Sequence, residues 1–454
     1  MKLSPLRTIL NLVIAFLLIG TSVSYGGEEE QSDRGLSWED VVRKTEESEN
    51  DHIREILEDP KHFLEEVAIT IKRQRKIFLD IYPGHEDLFV IYLLACMNKE
   101  NILIYGPPGG SKTAMSKFFA QANDKDPFIL QMLSTTLSDT FVGGLVFEDI
   151  KSGRYTRNLA PIYHKVVAFV DEVNHGRDDV FSDIFQVLSK EVLNGEQYYD
   201  LKVRSIIMTG NSTMDTLVQR ISRDSDMETG RAFADRTIFE VPISGKSDAD
   251  LFARNFLMYQ KNGFKKCERS LFTPISQNNF SALEALANEY ITDKKLAINV
   301  FNFLKSFQLS CNNDAQISGR KKRGKFVSYH TFDNDRIMAK VTKIVTSYLF
   351  LMKLMNAKNI AVGTPMFYKS LKPSKSDLPL IANALRLVLL PESIDKENID
   401  KSKYTHIFEE TLKDIFPGDR DCFSLWKCCK AKEYMGYDQD EDEDEDDQTP
   451  WFVF

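Results

Sequence analysis

The sequence has few cysteines for its length, and they form no recognisable pattern. Its 454 residues include six cysteines, at positions 96, 267, 311, 422, 428 and 429. Neither the paired C-x-x-C spacing of a structural zinc site nor the dense framework of a small disulfide-stapled domain is present. We therefore expect reduced, mostly structural thiols, with a redox or metal role for the adjacent Cys428 and Cys429 as the alternative.

The apolar run near the N-terminus is too short for an ordinary transmembrane helix, which needs about 20 residues. Lys2 and Arg7 precede the run Ile9 to Ile19, and the small residues Thr21 to Ser24 follow it. This layout is typical of a secretory signal peptide. An uncleaved anchor is the alternative, and the positive residues before the run, with the acidic Glu28 to Glu30 after it, would then direct the body out of the cytoplasm. Residues 1–25 are thus a signal peptide, a membrane anchor or an artefact of the assigned start site.

An excess of basic residues is also missing. Lys and Arg number 58 against 67 Asp and Glu, and the stretch Asp438 to Asp447 alone carries nine of the acids. The rest of the chain is close to neutral, which argues against a general nucleic-acid-binding surface. The local exception is Arg320 to Arg323, which is either a solvated basic loop or a site for nucleic acid or phosphoinositide.

Composition indicates a large globular protein, because 43% of the residues are hydrophobic and 11% are aromatic. That is enough material for two or three packed domains, and no internal repeat is evident. Changes of pattern predict six segments: a signal-like or anchor segment 1–25, a polar linker or arm 26–62, an α/β domain 63–244, an α-helical domain 245–395, a C-terminal extension 396–437 and an acidic disordered tail 438–454.

The rhythm of apolar runs predicts an α/β fold. Two helices are expected between residues 63 and 96, where apolar residues recur at helical spacing. Five runs of strand length then follow, separated by helix-length segments: 101–105, 128–133, 166–170, 203–208 and 237–241. This is the rhythm of a mostly parallel sheet covered by helices. Beyond residue 245, amphipathic stretches at 280–290, 297–308, 336–355 and 378–390 predict a helical domain.

A glycine-rich loop follows the first predicted strand. It comprises Gly106, Pro107, Pro108, Gly109, Gly110, Ser111, Lys112 and Thr113, and a helix is expected directly after it. Strand, loop and helix in this order form a phosphate-binding loop, in which Lys112 reaches the phosphates and the Thr113 hydroxyl coordinates Mg²⁺. Ser111 stands where the strict pattern has glycine, and a chance Gly/Pro-rich turn is the alternative.

Two acids end the third predicted strand. Asp171 and Glu172 follow Val166 to Val170, as in the Walker B motif of ATP-hydrolysing proteins. Asp171 is placed to hold Mg²⁺ through water, and Glu172 to polarise the attacking water. Acids at a strand end can also be helix caps, but the upstream phosphate loop favours the catalytic interpretation.

Three further features are weaker signals. Asn211, at the end of the fourth predicted strand, is placed to orient the lytic water, although a turn asparagine is the ordinary interpretation. Asp235-Arg236 precedes the fifth strand, where a cation can meet a neighbouring subunit's phosphate, and a charged pair with no such role is the alternative. Residues 145–155 predict an inserted hairpin around Ser152-Gly153.

Taken together, these motifs resemble the MoxR-type AAA+ ATPases, and within them the RavA subgroup. The likeness rests on GPPGGSKT at 106–113, STTLSDTFVGG at 134–144, GRYTRNLAPIYHKVVAFVDEVNHG at 153–176, MTGN at 208–211 and FADR at 233–236. It covers roughly residues 63 to 390 and is strongest over 101 to 241. Members of that family also tolerate a small residue other than glycine at the position of Ser111.

The resemblance implies a P-loop AAA+ module followed by a helical lid, with ATP and Mg²⁺ as cofactors. The roles it implies are nucleotide and Mg²⁺ contacts for Lys112 and Thr113, the Walker B acid for Asp171, the catalytic base for Glu172, sensor 1 for Asn211, the arginine finger for Arg236 and sensor 2 for Arg336. The match at Arg336 is less direct, because an extra polar loop at 312–325 precedes it.

At the level of function, the resemblance implies a ring, expected to be a hexamer, in which each arginine finger completes its neighbour's site. Hydrolysis would drive remodelling, maturation or assembly of a client complex, with a von Willebrand A domain protein as a partner. A cytoplasmic body follows, since ATP is scarce outside the cell, and a membrane attachment through residues 1–25 stays open. The alternatives are a nucleotide-binding scaffold that does not hydrolyse ATP and a nucleic-acid-remodelling AAA+ motor.

Overall fold

The computed structural model describes residues 50–124, 126–149, 154–158, 160–194, 197–221, 232–243, 273–291, 293–317, 335–357, 362, 364–390 and 403–416. The chain divides after residue 51 into two units, and every element named below lies in the unit from residue 52 onward.

A five-stranded parallel sheet forms the centre of the α/β part. Its strands are β1 (Ile102–Tyr105), β2 (Phe128–Gln131), β5 (Val167–Asp171), β8 (Ser205–Gly210) and β9 (Phe239–Pro242), in the order β2-β5-β8-β1-β9. All five predicted strands are confirmed, with ends within two residues of those expected. Because the strands are parallel, their carboxyl ends all meet at one edge of the sheet.

Helices cover both faces of the sheet. They are α1 (Pro60–Ile81), α2 (Glu86–Asn98), α3 (Lys112–Asn123), α4 (Asp139–Val142), α5 (Asp178–Leu188) and α6 (Met214–Ile221). Side chains alternate between the faces along each strand. Ile102 and Ile104 thus join the core on the side of α1, α2 and α3, whereas Leu103 and Tyr105 join the core on the side of α4, α5 and α6.

Two antiparallel hairpins project from the α/β part. The first pairs β3 (Gly144–Asp149) with β4 (Arg154–Asn158), and confirms the predicted inserted hairpin. The second pairs β6 (Glu191–Asn194) with β7 (Gln197–Asp200), between α5 and β8. The second hairpin was not expected, although Asn194-Gly195 is a typical hairpin turn signal.

The C-terminal half is helical where the structure describes it, and the four predicted amphipathic stretches at 280–290, 297–308, 336–355 and 378–390 are confirmed as helices. It contains α7 (Gln277–Ile291), α8 (Lys294–Ile317), α9 (Asp335–Met355), α10 (Pro365–Leu371), α11 (Leu378–Leu389) and α12 (Lys403–Ile415). α12 packs on α8, where the rings of Phe408 and Phe303 meet edge to face at 5.2 Å.

The helical half shares its hydrophobic core with α1 and α2. Two polar contacts strengthen this junction. Arg386 of α11 pairs with Asp87 of α2 at 2.7 Å. Ser347 of α9 donates to Asn98 at the end of α2, at 2.9 Å. The position of α9 is therefore tied to the end of the sheet where β1 begins.

Several sequence features lie outside the described residues: segment 1–25, the basic loop 320–323, the acidic tail and Cys267, Cys422, Cys428 and Cys429. Of the six cysteines, Cys96 and Cys311 are described, and both are buried and outside any disulfide bond. Burial raises the pKa of the Cys96 thiol to about 12, so it remains protonated. In the part of the chain that is described, no helix combines the length and apolarity needed to cross a membrane.

Candidate nucleotide-binding site

The glycine-rich loop runs from the carboxyl end of β1 to the first turn of α3. Gly106 has a φ of +151°, and a Cβ there would lie 2.1 Å from the carbonyl oxygen of Ile243. Only glycine fits this close approach. Ser111, just before α3, has a φ of +57°, a left-handed conformation that glycine adopts without strain. Glycine is therefore favoured at position 111 by its backbone conformation.

Lys112 lies within the curve of this loop. Its Nζ donates to the carbonyl oxygens of Gly106 and Pro107, each at 2.8 Å, and to Oδ1 of Asn211 at 3.3 Å. The side chain is 8% exposed. Burial lowers the pKa of Lys112, whereas the negative charges of Asp171 and Glu172 oppose that shift. Lys112 thus places a cation at the centre of the loop.

Thr113 and Asp171 meet beside this cation. The Thr113 hydroxyl lies 3.1 Å and 3.0 Å from the two carboxylate oxygens of Asp171. Thr209 of β8 also donates to Asp171. Because β8 lies between β1 and β5, a residue of β8 is well placed to connect the loop after β1 with the acid that ends β5.

Glu172 has an unusual backbone conformation for a residue with a side chain, with a φ of +55°. Its amide donates to Oδ1 of Asp171 at 3.1 Å. Gln131, which ends the neighbouring strand β2, donates from Nε2 to Oε2 of Glu172 at 3.1 Å. The turn directs the carboxylate of Glu172 toward β2, where the Gln131 amide holds it.

Asn211 follows the carboxyl end of β8, and a hydrogen bond to the turn after β5 holds its main chain. Its amide donates to Oδ1 of Asn174 at 3.3 Å. Arg220 of α6 donates to the main-chain carbonyls of Asn174 and Gly176, the latter at 2.6 Å. The turn after β5 and the end of β8 are thereby held together, so Asn211 faces Lys112.

These residues are suited to a nucleotide phosphate and Mg²⁺. Among the described residues, no side chain caps the N-terminus of α3, and the first turn of α3 contains no acidic residue. Because α3 begins directly after the loop, the N–H groups of its first turn point toward the loop. Such a helix start favours a phosphate. The Thr113 hydroxyl and the Asp171 carboxylate are oxygen ligands of the kind that Mg²⁺ prefers.

The structure does not bring Arg236 to this site. The Arg236 carbonyl accepts a 2.6 Å bond from the Asn101 side chain, one residue before β1 begins. Gly106 follows β1 at its other end, and five residues of strand span about 16 Å. Arg236 therefore lies at the amino edge of the sheet, opposite the glycine-rich loop.

Arg336 lies at the same edge, away from the glycine-rich loop of its own chain, and its role as sensor 2 stays a prediction. Lys340, one helical turn along α9, pairs with Glu100 at 2.7 Å and donates to the Asp235 carbonyl at 3.4 Å. Burial lowers the pKa of Arg236, and the positive charge of Arg336 lowers it further. The helical half folds back on α2, which carries the start of α9 to this edge.

Sequence reasoning missed Gln131, Thr209 and Asn174. Each lies at or just beyond the carboxyl end of a strand, where ligand-binding groups collect in parallel sheets. Gln131 is the last residue of β2, and Thr209 is the next to last residue of the buried strand β8, positions that could have identified them. Their contacts with Glu172 and Asp171 depend on the strand order, which the sequence does not reveal.

Comparison with known proteins agrees with this geometry. Residues 101–225 match the family model described as the AAA domain of the dynein-related subfamily. No curated protein sequence matches the chain. A crystal structure described as a "putative ATPase" from Cytophaga hutchinsonii is similar in fold, with a TM-score of 0.52 at 14% identity, over 78% of this chain and 96% of that one. The parallel sheet with its flanking helices, and the helical region after it, fit a P-loop AAA+ module followed by a helical lid.

Proposed function

We propose that this protein binds ATP with Mg²⁺ in the glycine-rich loop and hydrolyses it. The observation that carries the proposal is the meeting of Lys112, Thr113, Asp171 and Glu172 at one edge of the sheet. Bound Mg²⁺ would neutralise phosphate charge. Lys112 would contact the phosphates, Thr113 and Asp171 would hold the ion, and Glu172 would accept a proton from the attacking water. Asn211 would orient that water.

We further propose that the active form is a ring, expected to be a hexamer. Arg236 and Arg336 are separated from the glycine-rich loop of their own chain by the length of one strand. They are therefore too far away to contact a nucleotide bound in that loop. A head-to-tail arrangement places the amino edge of one copy against the carboxyl edge of the next, and such interfaces form a ring when the rotation between copies closes. Arg236 would then stabilise the charge that develops on the neighbour's phosphate.

We also propose that hydrolysis drives remodelling or assembly of other protein complexes, in a cytoplasmic body. Support comes from the motif resemblance to MoxR-type ATPases of the RavA subgroup, whose partners commonly bear a von Willebrand A domain. The contact of Arg386 in α11 with Asp87 in α2 provides a route by which motion in the AAA module reaches the lid. Binding experiments with this protein would identify the client complex.

The test is ATP turnover by the full chain over a range of protein concentrations, beside the Glu172→Gln variant. We expect turnover per subunit to rise cooperatively with concentration, because a shared site exists only in the assembled ring. We expect Glu172→Gln to bind ATP and not to hydrolyse it. Tight ATP binding without wild-type turnover would support the scaffold alternative. Normal turnover by Glu172→Gln would refute the assignment of the base.

A further inference from the structure

A buried asparagine at the amino edge of the sheet makes contacts in four directions. Asn101 is 1% exposed and directly precedes β1. Its Nδ2 donates to the carbonyls of Leu188 at 3.0 Å and Arg236 at 2.6 Å. Its Oδ1 accepts from the Ile206 amide at 3.2 Å and from Nζ of Lys190. All four hydrogen-bonding positions of the side-chain amide are therefore used.

Two of these contacts bear directly on Arg236. The bond from Asn101 fixes the main chain at Arg236, just before β9. The guanidinium is held separately, since Nε donates to the Ser189 hydroxyl and a terminal nitrogen donates to the Ala232 carbonyl at 3.0 Å. A flexible arginine side chain gains a defined direction when both its backbone and its guanidinium are held.

Ser189 and Lys190 also form the base of the hairpin β6–β7. Lys190 has a φ of +64°, a strained conformation for a residue with a side chain. Its carbonyl accepts from the Leu201 amide at 2.7 Å, which closes the hairpin base where β7 returns to the sheet. Its ammonium donates to Asn101. A displacement of hairpin β6–β7 would therefore move Ser189, which holds Arg236, and Lys190, which holds Asn101.

We propose that Asn101, Ser189 and Lys190 are positioning residues for Arg236, and that they connect the base of hairpin β6–β7 to the arginine that completes a neighbour's site. This inference rests on the proposed ring ATPase. None of the three residues contacts the glycine-rich loop of its own chain, because all lie at the opposite edge of the sheet. Each of the three residues therefore affects hydrolysis through the position of Arg236, and the affected site is that of the adjoining subunit.

The first experiment compares the Asn101→Ala, Ser189→Ala and Arg236→Ala variants of the full chain for ATP turnover and ATP binding. A small displacement of a catalytic group can cost about a hundredfold in rate. We expect Asn101→Ala to lower kcat by about tenfold to a hundredfold with little change in KM, as the loss of a group that acts only in the transition state predicts. Ser189→Ala, at a half-buried position, should show a smaller fall.

Asn98→Ala is the matched control. Asn98 is also a buried asparagine, three residues from Asn101, but its side chain contacts Leu94 and Ser347 and not Arg236. It should lose stability to a comparable degree while retaining its kcat. An equal fall in kcat for Asn98→Ala and Asn101→Ala would show a general folding defect and overturn the proposal.

Mixed rings give the decisive result. Each variant is mixed with an excess of Glu172→Gln subunits, which cannot hydrolyse ATP but retain a normal Arg236. An Asn101→Ala subunit then has its own site completed by an intact neighbour, so its turnover should recover toward the wild-type value measured in the same mixture. Arg236→Ala should recover equally, and Ser189→Ala provides the same test if Asn101→Ala does not fold.

The outcomes separate the two proposals. Recovery of Arg236→Ala without recovery of Asn101→Ala and Ser189→Ala would overturn the positioning role and leave the shared site intact. Failure of Arg236→Ala to recover would overturn the shared site, and the positioning proposal with it. Recovery of all three variants supports both.

Discussion

At the scale of single residues, the candidate site contains two side chains in strained backbone conformations. Ser111 and Glu172 both have φ values near +55°, a region that residues other than glycine rarely adopt. In each case the conformation directs a functional group: the loop turns into α3 at Ser111, and the carboxylate turns toward Gln131 at Glu172. Strain at functional positions is maintained by the surrounding contacts.

The strain at Ser111 leads to a prediction. Replacement by glycine should preserve ATP binding and raise the free energy of unfolding by up to about 1 kcal/mol, because the left-handed region disfavours a Cβ by about that amount. Ser111→Val should lower the free energy of unfolding, since a β-branched residue is strongly disfavoured there. Urea denaturation of both variants measures the difference. An equal loss of stability in both would contradict the backbone explanation.

Lys190 predicts a dependence of stability on pH. Burial lowers its pKa to about 7, with Glu100 and Cys96 opposing the shift and Lys340 and Arg204 adding to it. The unfolded chain retains the ordinary, higher value, so between about pH 7 and about pH 10 it binds more protons than the folded chain. The contribution of Lys190 to the free energy of unfolding therefore rises with pH over that window.

The measurement is urea unfolding at about pH 7 and about pH 9 for the wild type and Lys190→Met. The wild type should gain more stability between the two pH values than the variant, which lacks the titrating group. Ser189→Ala, which leaves Lys190 in place, should follow the wild type. Identical slopes for the wild type and Lys190→Met would show that Lys190 does not titrate in this window.

At the scale of elements, a buried ion pair connects the lid to the sheet. Arg204, at the start of β8, is 1% exposed and donates to the Cys96 and Met97 carbonyls at the end of α2, at 2.8 and 2.6 Å. It also pairs with Glu284 of α7. Burial would raise the pKa of Glu284, but Arg204 and Lys343 outweigh that effect and keep the pKa below its ordinary value.

Removal of this carboxylate should be costly. Glu284→Ala leaves the Arg204 charge buried without its partner, and such a change typically costs about 3–5 kcal/mol of unfolding free energy. Lys343→Ala should cost at most about 1 kcal/mol, because Lys343 is 34% exposed and solvent screens its charge. Chemical denaturation of both variants tests the difference, and similar values would contradict a buried pair.

At the scale of the whole molecule, the two groups of functional side chains lie at opposite edges of one sheet. The phosphate loop and acids are at the carboxyl edge, and Arg236 and Arg336 are at the amino edge. A single copy cannot bring them together without unfolding the sheet. Two copies in head-to-tail contact can, which is the physical basis for the proposed ring.

Arg336 provides a test at this scale. Arg336→Ala should reduce turnover while leaving ATP binding to its own site unchanged, because the side chain lies at the edge opposite its own loop. When mixed with excess Glu172→Gln subunits, the variant should recover turnover. Absence of recovery, together with weakened ATP binding, would show that Arg336 acts on its own chain's nucleotide as a sensor 2 residue.

The sequence alone determined the parts of this protein that depend on local pattern. The five strands and the main helices follow from the periodicity of apolar residues, and the glycine-rich loop and Asp171-Glu172 follow from their positions at strand ends. Local sequence shows these patterns because the geometry of a helix or a buried strand restricts which residue types can follow one another.

The tertiary structure decided what depends on residues far apart in the chain. The position of β8 between β1 and β5 joins Thr209 to Asp171, and β2 brings Gln131 to Glu172. The packing of α9 against α2 places the start of α9, with Arg336, at the amino edge of the sheet, the same edge as Arg236. Asn101 connects residues 87 to 135 positions away because packing of buried polar groups requires partners wherever they lie in the chain.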